Sequence, residues 1–265
     1  MVSDRDEAGA AAVRAVKSSE RTLRLLEVLA AHPGPLAITE LHRLTGYPRS
    51  SLHQLLHTMA ASDWIAMTAD GAHAAIGSRA LIVGTSYLDH DPALPWAVAA
   101  LERVRTQVGY TAHYARLTGS DVLYLATREA QESRRRTSRV GRFLPAHATA
   151  LGKALLSERT SVERAEALGQ GELVALTPHT ITDRAALETQ LDEVHARRYA
   201  VEREENTPGV CCIGVPVRYR IPATDAISVS IPLDRAGDDE IAHVAETVRD
   251  IADELATTLQ RSGVR

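Results

Sequence analysis

The segment from Thr39 to Ala61 constrains the fold most strongly, because several helix-boundary signals follow one another closely. Thr39 can cap a short helix, and Gly46 supplies the left-handed residue that ends one. Pro48 suits the first turn of a second helix, which runs to about Ala61. Two helices joined by a tight turn that contains glycine form a helix-turn-helix. The sequence therefore predicts this motif near the N-terminus.

Patterns on both sides of the motif extend it. The preceding helix begins with Ser18 or Ser19 as N-cap, and its apolar stripe consists of Leu23, Leu25, Leu26, Leu29 and Ala30. Beyond the motif, Asp70-Gly71 lies between two short apolar runs, which is typical of a hairpin. We therefore expect a winged helix-turn-helix over residues 19–77. Residues 1–18 are small, charged and aperiodic, and are predicted to form a mobile extension.

The remaining residues alternate helical and strand-like patterns. Residues 78–92 are predicted to form a linker helix, and residues 93–265 a second domain. Its predicted strands lie at residues 110–117, 122–127, 200–203, 210–218 and 226–231. Its predicted helices lie at residues 94–108, from about 149, at 183–198 and at 238–259. This order favours the α+β class, with an antiparallel sheet and helices packed on it.

Charge and hydropathy restrict the class of protein. The formal net charge is −4, and lysine occurs only at Lys17 and Lys153. Residues 18–80 carry as many arginines as acidic residues, so the predicted winged domain is formally neutral and its non-specific affinity for nucleic acid should be modest. No secretory signal and no apolar run that would span a bilayer is visible. We expect a cytoplasmic protein without a membrane partner.

The second helix of the predicted motif has one apolar and one polar face. Leu52, Leu55 and Leu56 share the apolar face at spacings of three and four. A solvated helix surface would also look polar, but the surrounding caps, turn and hairpin favour DNA recognition in the major groove. The predicted DNA-binding residues are Thr39, Arg49, Ser50, Ser51, His53, Gln54, His57 and His73.

The chain resembles the isocitrate lyase regulator (IclR) family of bacterial transcription factors over about residues 19–259. The matching segments are residues 19–29, Thr39-Glu40-Leu41, residues 46–53, residues 144–156, residues 176–183 and residues 198–213. The resemblance implies a GAF-like effector-binding domain, a homodimer or a dimer of dimers, and a palindromic double-stranded operator. It also implies a small-molecule effector, typically an organic acid or an aromatic metabolite.

The same resemblance implies where the effector binds. The implied residues are Ala150, Leu151, Glu202, Val210, Cys212, Ser228 and Ser230. Ser228 and Ser230 are two residues apart and therefore face the same side of a strand. Arg136, within an arginine-rich stretch, could pair with an anionic effector. Glu202 would repel a carboxylate, so we expect an effector with a hydrogen-bond donor beside an acid or aromatic group.

The sequence departs from the family pattern at several positions. Gln54 replaces a usual arginine in the recognition helix, Asp63 a usual glycine before the hairpin, and Arg198 a frequent glycine. The wing residues 72–75 are unusually small. We expect these departures to bear on operator recognition rather than on the fold.

Two other functions compete with the regulator hypothesis. A GAF-like hydrolase could use Cys212 as nucleophile with His147, His179 or His195, although no local signature supports it. A helix-turn-helix could instead serve protein contacts alone. We expect no cofactor and no metal site, since the adjacent cysteines and scattered histidines lack zinc spacing. The alternatives of repressor and activator stay open, with repressor favoured.

Overall fold

The computed structural model describes residues 16–130 and 140–264. These residues divide into a first unit that ends at His90 and a second unit that begins at Asp91. Within the described residues, no helix combines the length and the apolar character that crossing a membrane requires.

The first unit contains four helices and a small antiparallel sheet among its described residues. The strand order is β1-β3-β2. The elements are α1 (Lys17–Ala30), β1 (Leu36–Ala37), α2 (Ile38–Thr45), α3 (Arg49–Ala61), β2 (Ile65–Met67), β3 (His73–Ile76) and α4 (Ser78–Asp89). This arrangement confirms the predicted winged helix-turn-helix. Lys17 and Ser18, predicted to belong to the extension, form the first turn of α1, and residues 1–15 lie outside the described residues.

Two predicted helix caps in the first unit are wrong. α1 has Val16 as its N-cap rather than Ser18 or Ser19, because the first helical hydrogen bond runs from Glu20 N to Val16 O. α2 begins after Ala37, so Thr39 lies inside its first turn. Pairing of β1 with β3 keeps the chain extended up to Ala37, and Ile38 N donates to Ala72 O at 3.0 Å. The wing therefore supplies the acceptor that a side-chain cap would have provided.

The apolar stripe of α1 is narrower than predicted. Leu25 and Leu29 are buried, whereas Leu23 is 61% exposed and Ala30 is also exposed. The core of the first unit consists of Leu25, Leu29, Leu36, Leu41, Leu52, Leu56, Met59, Ile65 and Ala74. Helix α3 therefore buries its leucine face against α1, α2 and the wing.

A close backbone approach joins α3 to α4. Asp63, after α3, has a φ of +59°, the left-handed region that favours glycine. A Cβ atom on Gly77 would lie 2.2 Å from the Asp63 carbonyl oxygen, so only glycine fits there. Gly77 N donates to Trp64 O at 2.9 Å, and Arg79 N donates to Asp63 O at 3.1 Å. The start of α4 is thus fixed to the end of α3.

The second unit has a six-stranded antiparallel sheet in the order β6-β5-β4-β9-β8-β7. Its strands are β4 (Thr111–Thr118), β5 (Asp121–Arg128), β6 (Phe143–Pro145), β7 (Ala200–Arg203), β8 (Val210–Val217) and β9 (Asp225–Pro232). Its helices are α5 (Leu94–Val108), α6 (Ala150–Leu156), α7 (Ser161–Leu168), α8 (Arg184–Arg197) and α9 (Asp238–Arg261). The predicted α+β class with an antiparallel sheet is confirmed. The prediction missed β1, β6 and α7, which are short.

The two faces of the large sheet are covered by different helices. Helices α5 and α9 pack together on one face, against β4, β5, β8 and β9. Helices α6 and α8 cover the opposite face, where Leu151, Leu155, Leu187 and Leu191 pack with sheet residues such as Ala226. We call this second surface the α6 face.

A buried carboxylate connects the start of the second unit to the sheet. Asp225 is fully buried and accepts hydrogen bonds from Tyr114 Oη at 2.7 Å and from Arg116 Nε at 2.6 Å. Arg116 Nη1 lies 2.7 Å from Asp91 Oδ2, while Asp91 Oδ1 accepts from Ala93 N at 2.9 Å. The chain is therefore anchored immediately after His90.

Candidate nucleic-acid interface and buried polar face

Helix α3 presents most of its polar residues to solvent. Arg49, Ser50, His53, Gln54 and His57 are exposed, as the sequence pattern indicates. The buried residues of the same helix are Leu52, Leu56 and Met59. Because the apolar face is used in the core, these polar side chains are available to an outside partner. Arginine and glutamine are side chains that read guanine and adenine edges.

Ser51 has a different environment from its neighbours. It is half-buried, and its Oγ accepts a hydrogen bond from Arg21 Nη1 at 3.1 Å. The Arg21 guanidinium also lies 5.0 Å from the centroid of the Tyr47 ring. Ser51 and Tyr47 therefore hold a cation from α1 beside the start of α3. Arg21 was not among the predicted residues, since no local pattern links residues thirty positions apart.

The wing carries a fixed negative charge near its tip. Asp70 Oδ1 accepts hydrogen bonds from Thr68 Oγ1 and from Ala72 N, the latter at 3.0 Å. The hydrogen bond from the Thr68 hydroxyl is the main cause that lowers the pKa of Asp70. His73 is half-buried on β3, and Thr39 is exposed on α2. Both residues lie in the first unit, outside α3.

The sheet register brings four of the predicted effector residues together. Glu202, Cys212 and Ser230 lie opposite one another on β7, β8 and β9. Ser228 lies two residues from Ser230 and is paired with Gly214. Residues that are opposite in adjacent strands, or two apart in one strand, point to the same face. All four therefore belong to the α6 face.

The first turn of α6 lies directly over this row. A Cβ atom on Gly214 would lie 2.2 Å from the Ala150 carbonyl oxygen, so the helix approaches the strand as closely as glycine allows. The Thr149 side chain caps α6 by accepting from Gly152 N at 3.0 Å. Ala150 and Leu151 are buried there. Val210 is half-buried on β8, two residues from Cys212. Arg136 lies outside the described residues.

Beside Glu202 lie two further buried charges that the sequence analysis did not connect. Lys153 of α6 is fully buried, and its Nζ donates a hydrogen bond to Glu205 Oε1. Glu205 Oε2 accepts from Ile181 N at 3.2 Å, and Glu205 N donates to Glu202 Oε2 at 2.8 Å. Cys212 also bonds the Glu202 side chain, and its Sγ lies 3.4 Å from Ser230 Oγ. A polar chain thus runs from Lys153 to Ser230.

Burial is the largest cause of the pKa shifts of Glu202 and Lys153. Burial raises the pKa of Glu202 to about 7, opposed by the hydrogen bonds from Cys212 and from Glu205 N. Burial lowers the pKa of Lys153, and the Glu205 carboxylate opposes that shift. The Lys153 ammonium pairs directly with the Glu205 carboxylate, so a proton on Glu202 leaves these three side chains without net formal charge. Near neutral pH, Glu202 can therefore either accept or donate a hydrogen bond.

His113 and Thr127 extend the α6 face beyond the predicted residues. His113 is opposite Ser228 across β4 and β9, and is buried. Its Nδ1 lies 3.0 Å from Thr127 Oγ1, and its ring meets Tyr124 edge-on with centroids 5.4 Å apart. The bulge in the pairing of β4 with β5 lies in β5, where Leu125 is the extra residue, so Thr127 and Tyr124 face the same side although they are three residues apart.

Glu205 also lines a cleft of about 540 Å³. Its walls come from α8, β7 and the beginning of α9, and include Gln190, Arg197 and Arg203. One end of the polar chain, Ser230, lies on the α6 face. Glu205, near the other end, lines this cleft.

Both units match models of known protein families. Residues 18–67 match the IclR helix-turn-helix domain, and residues 85–257 match the C-terminal domain of the bacterial transcriptional regulator IclR. The chain belongs to the IclR family. The transcriptional repressor IclR of Escherichia coli is 31% identical over 262 residues, which cover 97% of this chain and 94% of that protein. The transcriptional regulator BhcR of Paracoccus denitrificans is 30% identical, over 91% of this chain and 86% of that protein.

Solved structures of IclR proteins share the fold. The regulator from Alicyclobacillus acidocaldarius has a TM-score of 0.79 at 22% identity, and covers 92% of this chain and 99% of its own. An IclR homologue from Microbacterium hydrocarbonoxydans, complexed with 4-hydroxybenzoate, has a TM-score of 0.75 at 24% identity, with coverage of 92% and 99%.

Family membership decides between regulator and enzyme. The family and the relatives are transcriptional regulators, so the hydrolase hypothesis for Cys212 is not supported. The histidines considered as its partners have other contacts. His147 Nε2 donates to Val174 O at 3.0 Å, His195 Nδ1 to Ser157 O at 2.9 Å, and His179 Nε2 lies 3.7 Å from Glu204. In residues 16–130 and 140–264, no cluster of three or more His, Cys, Asp or Glu side chains could hold a metal ion.

Proposed function

We propose that this IclR-family regulator is a cytoplasmic repressor that binds a palindromic operator through α3 and responds to a small organic effector on the α6 face. The observation that carries the DNA-binding part is the division of α3 into a buried leucine face and an exposed polar face. Arg49, Gln54, His53 and His57 read base edges from this exposed face. The phosphate contacts come from Ser50, Ser51, Thr39 and His73 together with Arg21.

The effector in this proposal has a hydrogen-bond donor next to an acid or aromatic group. Ser228 and Ser230 offer hydroxyl groups to a carboxylate or carbonyl oxygen. Glu202, buried beside them, accepts from a hydroxyl, amide or hydrazide-like donor of the ligand. The remaining contacts of the proposed pocket are Ala150, Leu151, Val210, Cys212 and Arg136. Supporting the proposal is the shared orientation of Glu202, Cys212, Ser228 and Ser230.

A palindromic operator requires two copies of the first unit, and α4 offers a surface for pairing. None of the residues of α4 is buried within its own unit. Leu81 and Ile82 are more than 60% exposed, and Val83 and Tyr87 are half-exposed. An apolar helix surface of this kind is typical of a protein–protein interface. We propose that a homodimer forms through α4, and that two such dimers can associate further.

Footprinting on the DNA upstream of the gene tests the DNA-binding part. We expect a protected region with wild type, and a loss of affinity of about 5- to 150-fold in Arg49→Ala, which corresponds to roughly 1–3 kcal/mol for a base contact. Arg24→Ala removes an exposed arginine that is paired with Glu27 on α1, and serves as the matched control. Equal affinities of wild type and Arg49→Ala would contradict the assignment of α3. The absence of any footprint would favour a helix-turn-helix used for protein contacts.

Titration calorimetry tests the effector part. Compounds with a donor beside a carboxylate or an aromatic ring should bind better than simple carboxylates. The Glu202→Gln variant, which keeps an acceptor but loses the negative charge, should bind simple carboxylates relatively better than wild type. Preferred binding of simple carboxylates by wild type, with no change in the variant, would contradict the role of Glu202.

A further inference from the structure

Two histidines lie together on the exposed surface of α3. His53 and His57 are four residues apart, and the centroids of their rings are separated by 4.4 Å with an angle of 48° between the ring planes. Residues at positions i and i+4 of a helix share one face. Both side chains are exposed. The helix therefore presents two adjacent imidazole groups on rigid backbone.

These rings differ from other histidines of the chain in their contacts. The rings of His42, His90 and His147 hydrogen-bond to the backbone carbonyl groups of Tyr47, Ser86 and Val174. Within the part of the chain that the structure describes, neither His53 nor His57 makes a hydrogen bond or an ion pair, and each contacts the ring of the other. Their nitrogen atoms are thus available to an external ligand.

Neutral imidazole is a preferred protein ligand of Zn²⁺, Ni²⁺ and Cu²⁺. Two histidines at i and i+4 on one helix face can both reach a single metal ion. A zinc ion lies about 2.0–2.1 Å from each histidine nitrogen that binds it. Since no third protein ligand joins them among the described residues, water would fill the other coordination positions. Such a site exchanges its ion with solvent, unlike a closed structural zinc site.

We propose that His53 and His57 form a two-histidine site for a divalent transition metal, and that metal and operator compete for α3. The competition rests on the proposed function of α3 as recognition helix, whereas the metal site itself does not. A hydrated ion on these rings occupies the space that base edges would enter. It also holds both imidazole groups in one geometry and uses the nitrogen atoms that would otherwise face DNA.

Zinc titration calorimetry of the metal-free full chain tests the site without DNA. We expect one Zn²⁺ per chain with micromolar affinity, and at least a tenfold weaker affinity in both His53→Gln and His57→Gln. Both positions are exposed, so these variants should unfold at the wild-type temperature. His90→Gln removes a single exposed histidine, which follows α4, and should bind zinc as wild type does. Zinc binding that survives both α3 substitutions overturns the site.

Fluorescence anisotropy with the footprinted operator tests the competition. Saturating Zn²⁺ should weaken operator binding by wild type at least tenfold, and a chelator should restore it. The residual operator affinity of His57→Gln should not respond to zinc. Zinc binding that requires both histidines but leaves operator affinity unchanged overturns the competition. Failure of the proposed function is recognised separately, because Arg49→Ala would then bind the operator as wild type does.

Discussion

Helix α3 and the α6 face differ in the solvent exposure of their polar side chains. On α3, Arg49, His53 and Gln54 are exposed and left available for an outside partner. On the α6 face, Glu202 is buried and hydrogen-bonded inside a chain that includes Lys153 and Glu205. A groove-reading surface needs accessible groups, whereas a pocket for a small ligand needs groups that are held in place before the ligand arrives. Substitutions should therefore affect affinity in the first region and stability in the second.

The strongest test of this difference is Glu205→Ala. It leaves the buried Lys153 ammonium without its direct partner, and should lower the free energy of unfolding by about 3–5 kcal/mol. Gln54→Ala on α3 should change that free energy by less than about 0.5 kcal/mol. Urea denaturation measures both. The Lys153→Met/Glu205→Gln double variant should lose much less than the sum of its single variants, and an additive loss would contradict direct coupling.

The pH dependence of stability should reveal Glu202. Its pKa is raised from 4.5 to about 7 in the folded state, so the folded protein holds the proton over a range where the unfolded chain has released it. The free energy of unfolding should therefore fall by about 2–3 kcal/mol as the pH rises from 4.5 through 7.

The Glu202→Gln variant should lack this decline. It should be similar to wild type near pH 4.5 and more stable than wild type at pH 8, as measured by urea denaturation across the range. Glu193→Gln removes an exposed carboxylate and should preserve the wild-type profile. If Glu202→Gln retained the decline, another group would have to carry it.

A smaller effect is expected for Arg21, held by Ser51 and Tyr47 beside α3. Because we propose that Arg21 contacts a phosphate, its replacement by alanine should weaken binding about equally for operator and unrelated DNA. The slope of log K against log salt concentration is negative, and its magnitude should decrease by about 1 for each first unit that binds DNA. Arg24→Ala is again the control. A loss confined to the operator would instead indicate that Arg21 contacts a base.

The smallest effect concerns the two positions where the chain departs from glycine. Asp63 and Arg198 have φ values of +59° and +67°. Asp63→Gly and Arg198→Gly should each raise the free energy of unfolding by about 0.5–1 kcal/mol, since glycine relieves the left-handed strain. Thermal unfolding measures this as a small rise in Tm. Asp63→Ala should lower Tm, and equal shifts for glycine and alanine would exclude a backbone cause.

Sequence patterns predict the two regions to different depths. The exposed face of α3 follows from leucine spacing alone, because a helix repeats every 3.6 residues. Gly46 was correctly predicted in the left-handed conformation. The predicted N-cap at Thr39 is wrong, because β1 pairs with the wing and holds the chain extended to Ala37. A long-range backbone contact had replaced the local signal.

The buried chain on the α6 face depends on contacts that a linear pattern does not contain. Alternation places Ser228 and Ser230 on one side, but which strands lie beside them requires the sheet order. The partnership of Lys153 with Glu205 joins a helix to the end of an edge strand. Helix α7, in contrast, has a local signal in the sequence. Thr160 and Glu163 form a capping box at its start.

The fit of Gly77 against Asp63 couples α4 to α3 within the first unit. Gly77 N and Arg79 N donate to backbone carbonyl groups that follow α3, so the first turn of α4 moves together with the end of α3. The twelve residues of α4 extend about 18 Å from this junction. A rotation of the coupled helices by about 10° about the junction corresponds to a displacement of about 3 Å at the far end of α4. Base-reading hydrogen bonds tolerate a few tenths of an ångström, so under the proposed function a slight rotation of α4 is enough to misplace α3 in a groove.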